Sequence, residues 1–275
     1  LILSLTKNNS KEKLFMVDLH THILPGVDDG PKTIEQSILM INQAEKAGVT
    51  TICATPHILG QVTFQLEEKI KRSFDLLKTK MVQMGSKLEM VLGSEIYVRE
   101  DMDSLKRLDF FTLNNTGRYL LIELPWGQFP PHLDRIVFEL LLEGKVPIIA
   151  HPERSIITKR QLVYVENLVQ KGALMQINAG SLLGLLGRKI KSIAEELLKH
   201  NLAHFLASDA HDHLAFPIRI LPSAFARASK IMGREKAEKL VVSNPHRVIK
   251  GERLIDVKMP PGLENKPEEE ICSLR

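Results

Sequence analysis

Met16-Val17-Asp18-Leu19-His20-Thr21-His22 is a short apolar run that closes on two histidines separated by one residue. In a strand, residues i and i+2 share a face, so both imidazoles can reach one point. That is the geometry of a metal site, although a lone His-x-His pair is more often two solvated or core side chains. Recurrence shifts the balance. Asp28-Asp29, Pro56-His57, Gly93-Ser94-Glu95, Ile122-Glu123, His151-Pro152-Glu153-Arg154 and Asp209-Ala210-His211 follow in comparable settings, each closing an apolar run.

Working outward from this stretch, seven runs read as buried strands: Val17 to His20, Thr51 to Ala54, Glu89 to Leu92, Tyr119 to Glu123, Val146 to Ala150, Leu174 to Asn178 and Phe205 to Ser208. Between them apolar residues recur at helical spacing. Ile34, Ile38, Ile41 and Ala44 precede Gly48, and Ile70, Phe74, Leu77 and Met81 precede Gly85. Leu133, Ile136, Val137, Leu140 and Leu141 lead to Gly144, and Leu162, Val165, Leu168 and Val169 lead to Gly172. Each glycine is a helix stop. Short continuous apolar strands alternating with amphipathic helices predict a parallel sheet covered on its outer face, hence a βα barrel.

Composition agrees with one such domain, because 275 residues at 44% hydrophobic content can bury a sizeable core. The net charge of +4 comes from 37 basic and 33 acidic residues without a Lys/Arg block, too mild and too mixed to argue for nucleic acid. Two cysteines, Cys53 and Cys272, do not make a secreted disulfide framework, so a reducing cytoplasm is the expected compartment. No apolar stretch is long enough to insert in a membrane. Residues 1–15 read as a tail with the wrong order for a secretory signal, and Met16 is a candidate start. Residues 16–258 are the expected barrel, and residues 259–275, with Glu268-Glu269-Glu270, a polar tail.

His20, His22, His57, Glu95, Glu123, His151, Asp209 and His211 fall at or just after the ends of six predicted strands. In a parallel barrel those ends converge on one rim, where such folds carry their active sites. His204 sits at the start of the last strand and His200 at a helix end, so both read as structural or solvated, and His132, His213 and His246 have no comparable setting. Imidazole with carboxylate suits Zn, Mn, Fe or Co better than Mg or Ca. Several carboxylates among the histidines allow one to bridge paired metals, which lower the pKa of bound water to about 7 and make a bridging hydroxide the expected nucleophile. Arg154 adds a planar guanidinium suited to phosphate oxygens, its plainer alternative being a surface salt bridge.

The same segments, from Met16-Val17-Asp18-Leu19-His20-Thr21-His22-Ile23-Leu24-Pro25-Gly26-Val27-Asp28-Asp29-Gly30 through Ala54-Thr55-Pro56-His57 and Gly93-Ser94-Glu95-Ile96 to Ala207-Ser208-Asp209-Ala210-His211, resemble the polymerase-and-histidinol-phosphatase (PHP) superfamily. Within it they look most like the bacterial manganese-dependent protein-tyrosine phosphatases of capsule and exopolysaccharide gene clusters. The likeness runs in order from Met16 to the Asn244-Pro245 region. It implies a distorted seven-unit (β/α)7 TIM-like barrel with three divalent metal ions, manganese foremost and Fe, Zn or Co as alternatives. By that resemblance His20, His22, Glu95 and Asp209 hold the first ion, and Glu95, Glu123 and His151 the second. Asp29, His57 and His211 hold the third, and Arg154 binds phosphate. The implied partner is a phosphotyrosine protein, such as a bacterial tyrosine autokinase of polysaccharide export.

One departure stands out. Relatives often carry a second phosphate-binding arginine soon after the last Asp-x-His, where this chain has Phe216, with Arg219 displaced by a few residues. Arg219 is therefore a second catalytic candidate, and His213 a weak substitute. The loop Pro125-Trp126-Gly127-Gln128-Phe129-Pro130 offers aromatic surface either for a substrate ring or as a plug on the barrel rim.

A cysteine-based phosphatase is excluded, since the arginine it needs about six positions after its thiolate is absent: Leu59 stands there after Cys53, and Cys272 is too near the end. No nucleophile-elbow serine appears either. The alternatives are a phosphatase of a small ester such as histidinol phosphate, or a metal-stabilised binding module without catalysis. An amidohydrolase shares His-x-His and a late Asp, but Glu95 and Glu123 on middle strands fit the phosphatase pattern better.

Overall fold

Runs of Val, Ile and Leu flanked by polar turns form strands here because both sheet faces are covered. All six residues of β1 (Met16–Thr21), all five of β7 (Val146–Ala150) and all five of β8 (Leu174–Asn178) are buried. The computed structural model describes residues 14–99, 110–156, 158–215 and 217–255. The remaining strands are β2 (Val49–Ala54), β3 (His57–Ile58), β4 (Glu89–Leu92), β5 (Glu95–Tyr97), β6 (Tyr119–Glu123) and β9 (Phe205–Ala207). The helices are α1 (Ile34–Ala47), α2 (Phe64–Gln83), α3 (Leu133–Leu142), α4 (Lys159–Gln170), α5 (Ala179–Leu183), α6 (Arg188–Lys199), α7 (Leu221–Met232), α8 (Arg234–Glu238) and α9 (Asn244–Ile249).

The seven expected strands become nine because the second and third runs are each followed, after a break, by a further short strand, β3 and β5. Every pairing is parallel, in the orders β1-β2-β4 and β3-β5-β6-β7-β8-β9. Pro56, which has no N–H to donate, interrupts the ladder between β2 and β3. Gly93 marks the break between β4 and β5, where a Cβ would lie 2.7 Å from Leu113 Cδ2 and 3.0 Å from Cys53 Sγ. Backbone bonds from Gly93 N to Ala54 O and from Glu95 N to Pro56 O carry the pairing across the gap. Taken as continuous runs, the strands follow chain order around a ring. The ring closes where Thr21 bridges Ala210, Asp209 N donates to His20 O, and His22 N donates to Ala210 O. The result is a distorted seven-unit (β/α)7 barrel.

Helices α1 to α4 lie where the apolar spacing places them, and α1 shows why its ends hold. Thr33 and Gln36 form a reciprocal N-terminal box, and Gly48 closes the helix in the left-handed conformation. The buried stripe of α1 is Ser37, Met40, Ile41 and Ala44, so Ile34 and Ile38 sit on its edge. Among the described residues no helix is long and apolar enough to cross a membrane. The N-terminal residues 1–13, the segment from 256 onward with Glu268 to Glu270 and Cys272, and Phe216 lie outside the described residues.

Candidate metal centre

The strand ends deliver the expected side chains to one rim. His20 lies near the end of β1 and His22 just beyond it, His57 opens β3, Glu95 opens β5, and Glu123 ends β6. His151 directly follows β7, while Asp209 and His211 follow β9. Glu95 and His57 are register partners, because the two short strands left by the breaks pair with each other. His151 and Asp209 adopt left-handed backbone with φ of 33° and 54°, conformations a non-glycine residue holds only where its surroundings impose them.

Four donor atoms converge most tightly. His20 Nε2 lies 3.0 Å from His22 Nε2, 3.1 Å from Glu95 Oε2 and 3.2 Å from Asp209 Oδ1. His22 Nε2 lies 3.2 Å from Glu95 Oε2 and 3.3 Å from Asp209 Oδ1. Donors about 2.0–2.1 Å from a tetrahedral ion stand about 3.3–3.4 Å apart, close to these separations. Glu95 Oε2 and Asp209 Oδ1 are buried and accept no hydrogen bond. Two buried carboxylate oxygens that face only imidazole nitrogens are costly unless a proton or a cation sits among them.

Two further groups adjoin this one. Donor atoms of His57, Glu95 and Glu123 lie within 4.8 Å of one another, and so do those of His22, Asp29, His57 and His211. His57 spans both, with Nδ1 at 3.0 Å from Glu95 Oε2 and Nε2 at 3.7 Å from Asp29 Oδ1. His151 Nε2 is 2.9 Å from Glu95 Oε1 and 4.0 Å from Glu123 Oε1. The structure thus brings all nine expected ligands to one cluster, with His57 facing Glu95 and Glu123 as well as Asp29.

The electrostatics favour positive charge at its centre. Burial alone would lower the His22 imidazolium, yet Asp209, Asp28 and Glu95 raise its pKa well above the usual value. Burial likewise pushes Glu95 and Asp209 up, but the facing histidines, with Arg154 beside Asp209, hold both well below the carboxylate range. Glu123 is pushed up to about 7, first by burial and then by the Glu95 charge. His151 is lowered to about 4, first by burial and then by Arg154. Carboxylates that favour a proton on His22 favour positive charge there, and a metal ion can supply it.

Five buried supports, given no role by the sequence reading, fix these donors. Asp28 Oδ2 lies 2.8 Å from His22 Nδ1 and accepts from His57 N, while Asp28 Oδ1 accepts from Gly30 N. Gln176 Nε2 is 2.7 Å from His20 Nδ1, and Gln176 Oε1 has no partner. With that amide turned over, Oε1 accepts from Nδ1–H and the Nε2 lone pair of His20 faces the cluster. Asp18, raised to about 6 by burial, accepts from Ser208 N and so ties β1 to β9. Asn178 Nδ2 donates to Asp209 Oδ2, and Glu153 Oε1 accepts from Asn178 N. A fully polar partner on a buried strand was the available signal at Gln176 and Asn178.

Arg154 Nη2 donates to Asp209 Oδ2 at 2.6 Å, which places the guanidinium at the cluster. Arg219 is exposed in the turn Ile218–Ile220 that leads into α7, and pairs with none of the described cluster residues. Cys53 is fully buried, and burial drives its thiol far above the usual range, so it is a core residue. His204 is a backbone partner of Met175, remote from the rim.

Residues 16–250 match the sequence profile described as "Capsular polysaccharide synthesis, CpsB/CapC". The chain belongs to the CpsB/CapC family. It is 40% identical over 197 residues to the putative tyrosine-protein phosphatase CapC of Staphylococcus aureus, across 71% of this chain and 77% of that protein. Tyrosine-protein phosphatase YwqE of Bacillus subtilis (strain 168) is 34% identical over 233 residues, 82% of this chain and 91% of the relative. A solved chain among the crystal structures of YwqE from B. subtilis and CpsB from Streptococcus pneumoniae, described as unique metal-dependent tyrosine phosphatases, superposes with a TM-score of 0.80. That pair is 31% identical and covers 89% of this chain and 98% of the solved one. The CpsB/CapC profile begins at Met16 and takes in every cluster residue named above.

Proposed function

We propose that this chain is a metal-dependent phosphomonoesterase that hydrolyses phosphotyrosine in a protein, acting in capsular polysaccharide synthesis. The observation that carries the reading is the convergence of His20 Nε2, His22 Nε2, Glu95 Oε2 and Asp209 Oδ1, with both carboxylate oxygens buried and making no well-formed hydrogen bond. The kinship to tyrosine phosphatases supplies the reaction class. The substrate protein in this reading is a bacterial tyrosine autokinase of polysaccharide export, and the compartment is the cytoplasm.

In this reading three divalent ions are held. His20, His22, Glu95 and Asp209 take the first, Glu95 and Glu123 with His151 and His57 the second, and Asp29, His57 and His211 the third. Imidazole with carboxylate suits manganese, with Fe, Zn or Co as alternatives. When bound, such ions supply Lewis acidity toward phosphate oxygens and a water acidic enough to ionise near neutral pH. The chain's own residues orient the reaction. Arg154 offers planar donors to the phosphate, Asp28 and Gln176 hold the rings of His22 and His20, and Asn178 fixes the Asp209 carboxylate.

Stripped protein reloaded with manganese should release phosphate from a phosphotyrosine peptide in preference to histidinol phosphate or a dihydroorotate-like amide. Activity that survives prolonged chelation, with no metal by elemental analysis, would reject the reading. Turnover of histidinol phosphate alone would move the substrate to a small ester. Retained metal with no turnover of any substrate would leave a binding module.

A further inference from the structure

The loop after β6 divides its two aromatic residues between different tasks. Phe129 packs edge-on against Tyr164 of α4 with centroids 5.2 Å apart, half-buried against the core. Trp126 does not join it and remains 58% exposed. Exposure alone is ordinary for a surface side chain; what singles out this indole is its place beside the cluster. Its ring lies over the Arg154 guanidinium, 5.4 Å from centroid to Cζ, and that guanidinium reaches Asp209 in the cluster.

The loop is held in place on both sides of the indole. Gly127 N donates to Arg154 O at 3.1 Å, and Ser155 Oγ donates to Pro125 O at 2.9 Å. Gly127 sits at φ 70°, a conformation that lets the chain turn straight back after Trp126. The backbone on both sides of the indole is therefore tied to the segment that carries Arg154, the arginine assigned to the phosphate. A phosphate ester gripped by Arg154 carries its leaving group one bond beyond the phosphorus, within reach of that ring. An aryl leaving group can stack there, and a short alkyl one cannot.

We propose that Trp126 is the specificity-determining platform for the tyrosyl ring of the substrate, which selects aryl over alkyl phosphate esters. This rests on the phosphatase reading above, and the test separates the two. The chain has one tryptophan beside three tyrosines, so emission excited selectively at the red edge of indole absorption reports Trp126 alone.

Zinc-loaded protein would be titrated with a peptide carrying phosphonomethyl-phenylalanine, a non-hydrolysable analogue, and separately with inorganic phosphate. Emission should shift with the aryl phosphonate and change little with phosphate. In steady-state kinetics Trp126→Leu should raise KM for a phosphotyrosine peptide about 2- to 10-fold, the range of one aromatic contact, with Trp126→Phe close to wild type. The inhibition constant of inorganic phosphate should stay within about 2-fold under the same energetics. Saturation by the phosphonate with unchanged emission would overturn the proposal. Equal weakening of peptide and inorganic phosphate in Trp126→Leu would also overturn it, by showing that the indole only seats Arg154. Metal-loaded wild type that turns over no phosphotyrosine peptide would remove the phosphatase reading itself.

Discussion

Arg154 and Asp209 are joined by a 2.6 Å hydrogen bond to Asp209 Oδ2, while the other oxygen of the same carboxylate faces His20 and His22 at 3.2 and 3.3 Å. One aspartate thus couples the Arg154 guanidinium, to which we assign the phosphate, to the tightest donor group. Asn178 Nδ2 also donates to Oδ2, at 2.9 Å, so the carboxylate keeps an anchor if the arginine is removed.

Arg154→Ala should therefore lower kcat/KM on a phosphotyrosine peptide by about 10²- to 10³-fold, the order for loss of one preorganised charge-assisted donor. Metal content should persist through the Asn178 anchor. Arg154→Lys should recover only part of the activity, because an ammonium lacks the planar two-point contact. Arg219→Ala should be mild, given its exposed place ahead of α7. Steady-state kinetics with elemental analysis on all three variants checks this, and an indispensable Arg219 beside a dispensable Arg154 would reverse the assignment.

Glu95→Ala should be the most damaging ligand change. Its Oε2 faces His20, His22 and His57 at 3.0 to 3.2 Å and its Oε1 faces His151 at 2.9 Å. Loss of more than one metal equivalent is expected, with activity falling beyond the roughly 10³-fold of a single lost donor. Normal metal content and turnover in this variant would show that the carboxylate does not bridge.

Gln176→Leu should leave the fold intact and weaken metal binding by about 10- to 100-fold, the usual effect of removing an outer partner of a ligand histidine. Gln176→Glu, which retains an acceptor for His20 Nδ1–H, should restore much of that affinity. Competition with a chelator of known affinity measures both variants, and equal affinity in wild type and Gln176→Leu would sink the idea.

Gly30→Ala tests the loop that aims Asp28. A Cβ there would lie 2.3 Å from His22 O and 3.0 Å from Asp28 Oδ1, so backbone has to move. A loss of about 1–3 kcal/mol or more is expected, as for overpacking elsewhere, together with weaker metal binding. Thermal unfolding with and without metal would expose it, and an unchanged Tm in both states would contradict the contact.

His204 makes a pH prediction away from the cluster. Burial lowers its pKa from 6.5 to about 4, and its Nδ1 accepts from Met175 N. Below pH 6.5 the unfolded chain takes up a proton that the folded imidazole refuses until about pH 4. Its contribution, roughly 3 kcal/mol, is fully present above 6.5 and is lost as pH falls through that window. Denaturant titrations of wild type and His204→Asn from pH 7 to 4 should show the difference between them shrinking with acid, and a constant difference would refute it.

Much of the barrel is legible because its signals are local. Continuous apolar runs and glycine stops sit within a few residues of the elements they specify, and α1 to α4 form where those signals stand. The two breaks escaped, since Pro56 and Gly93 interrupt ladders only through partners far along the chain: Leu113, whose side chain meets the Gly93 position, lies in a different segment.

The cluster divides in the same way. The sequence by itself determined which residue types gather and on which rim, because parallel strands must end together and His-x-His shares a face. Only the tertiary structure decided what each donor does. Asp28 and Asp29 are adjacent and chemically alike, yet the Asp28 side chain is 7% exposed against His22 Nδ1 while that of Asp29 is 66% exposed and faces His57 and His211. Gln176 reads as one more residue of a buried strand until its amide is found against His20, some 156 positions away. Residue identity is written in the chain, but the direction of a side chain and the atom it faces depend on long-range packing, which no local pattern encodes.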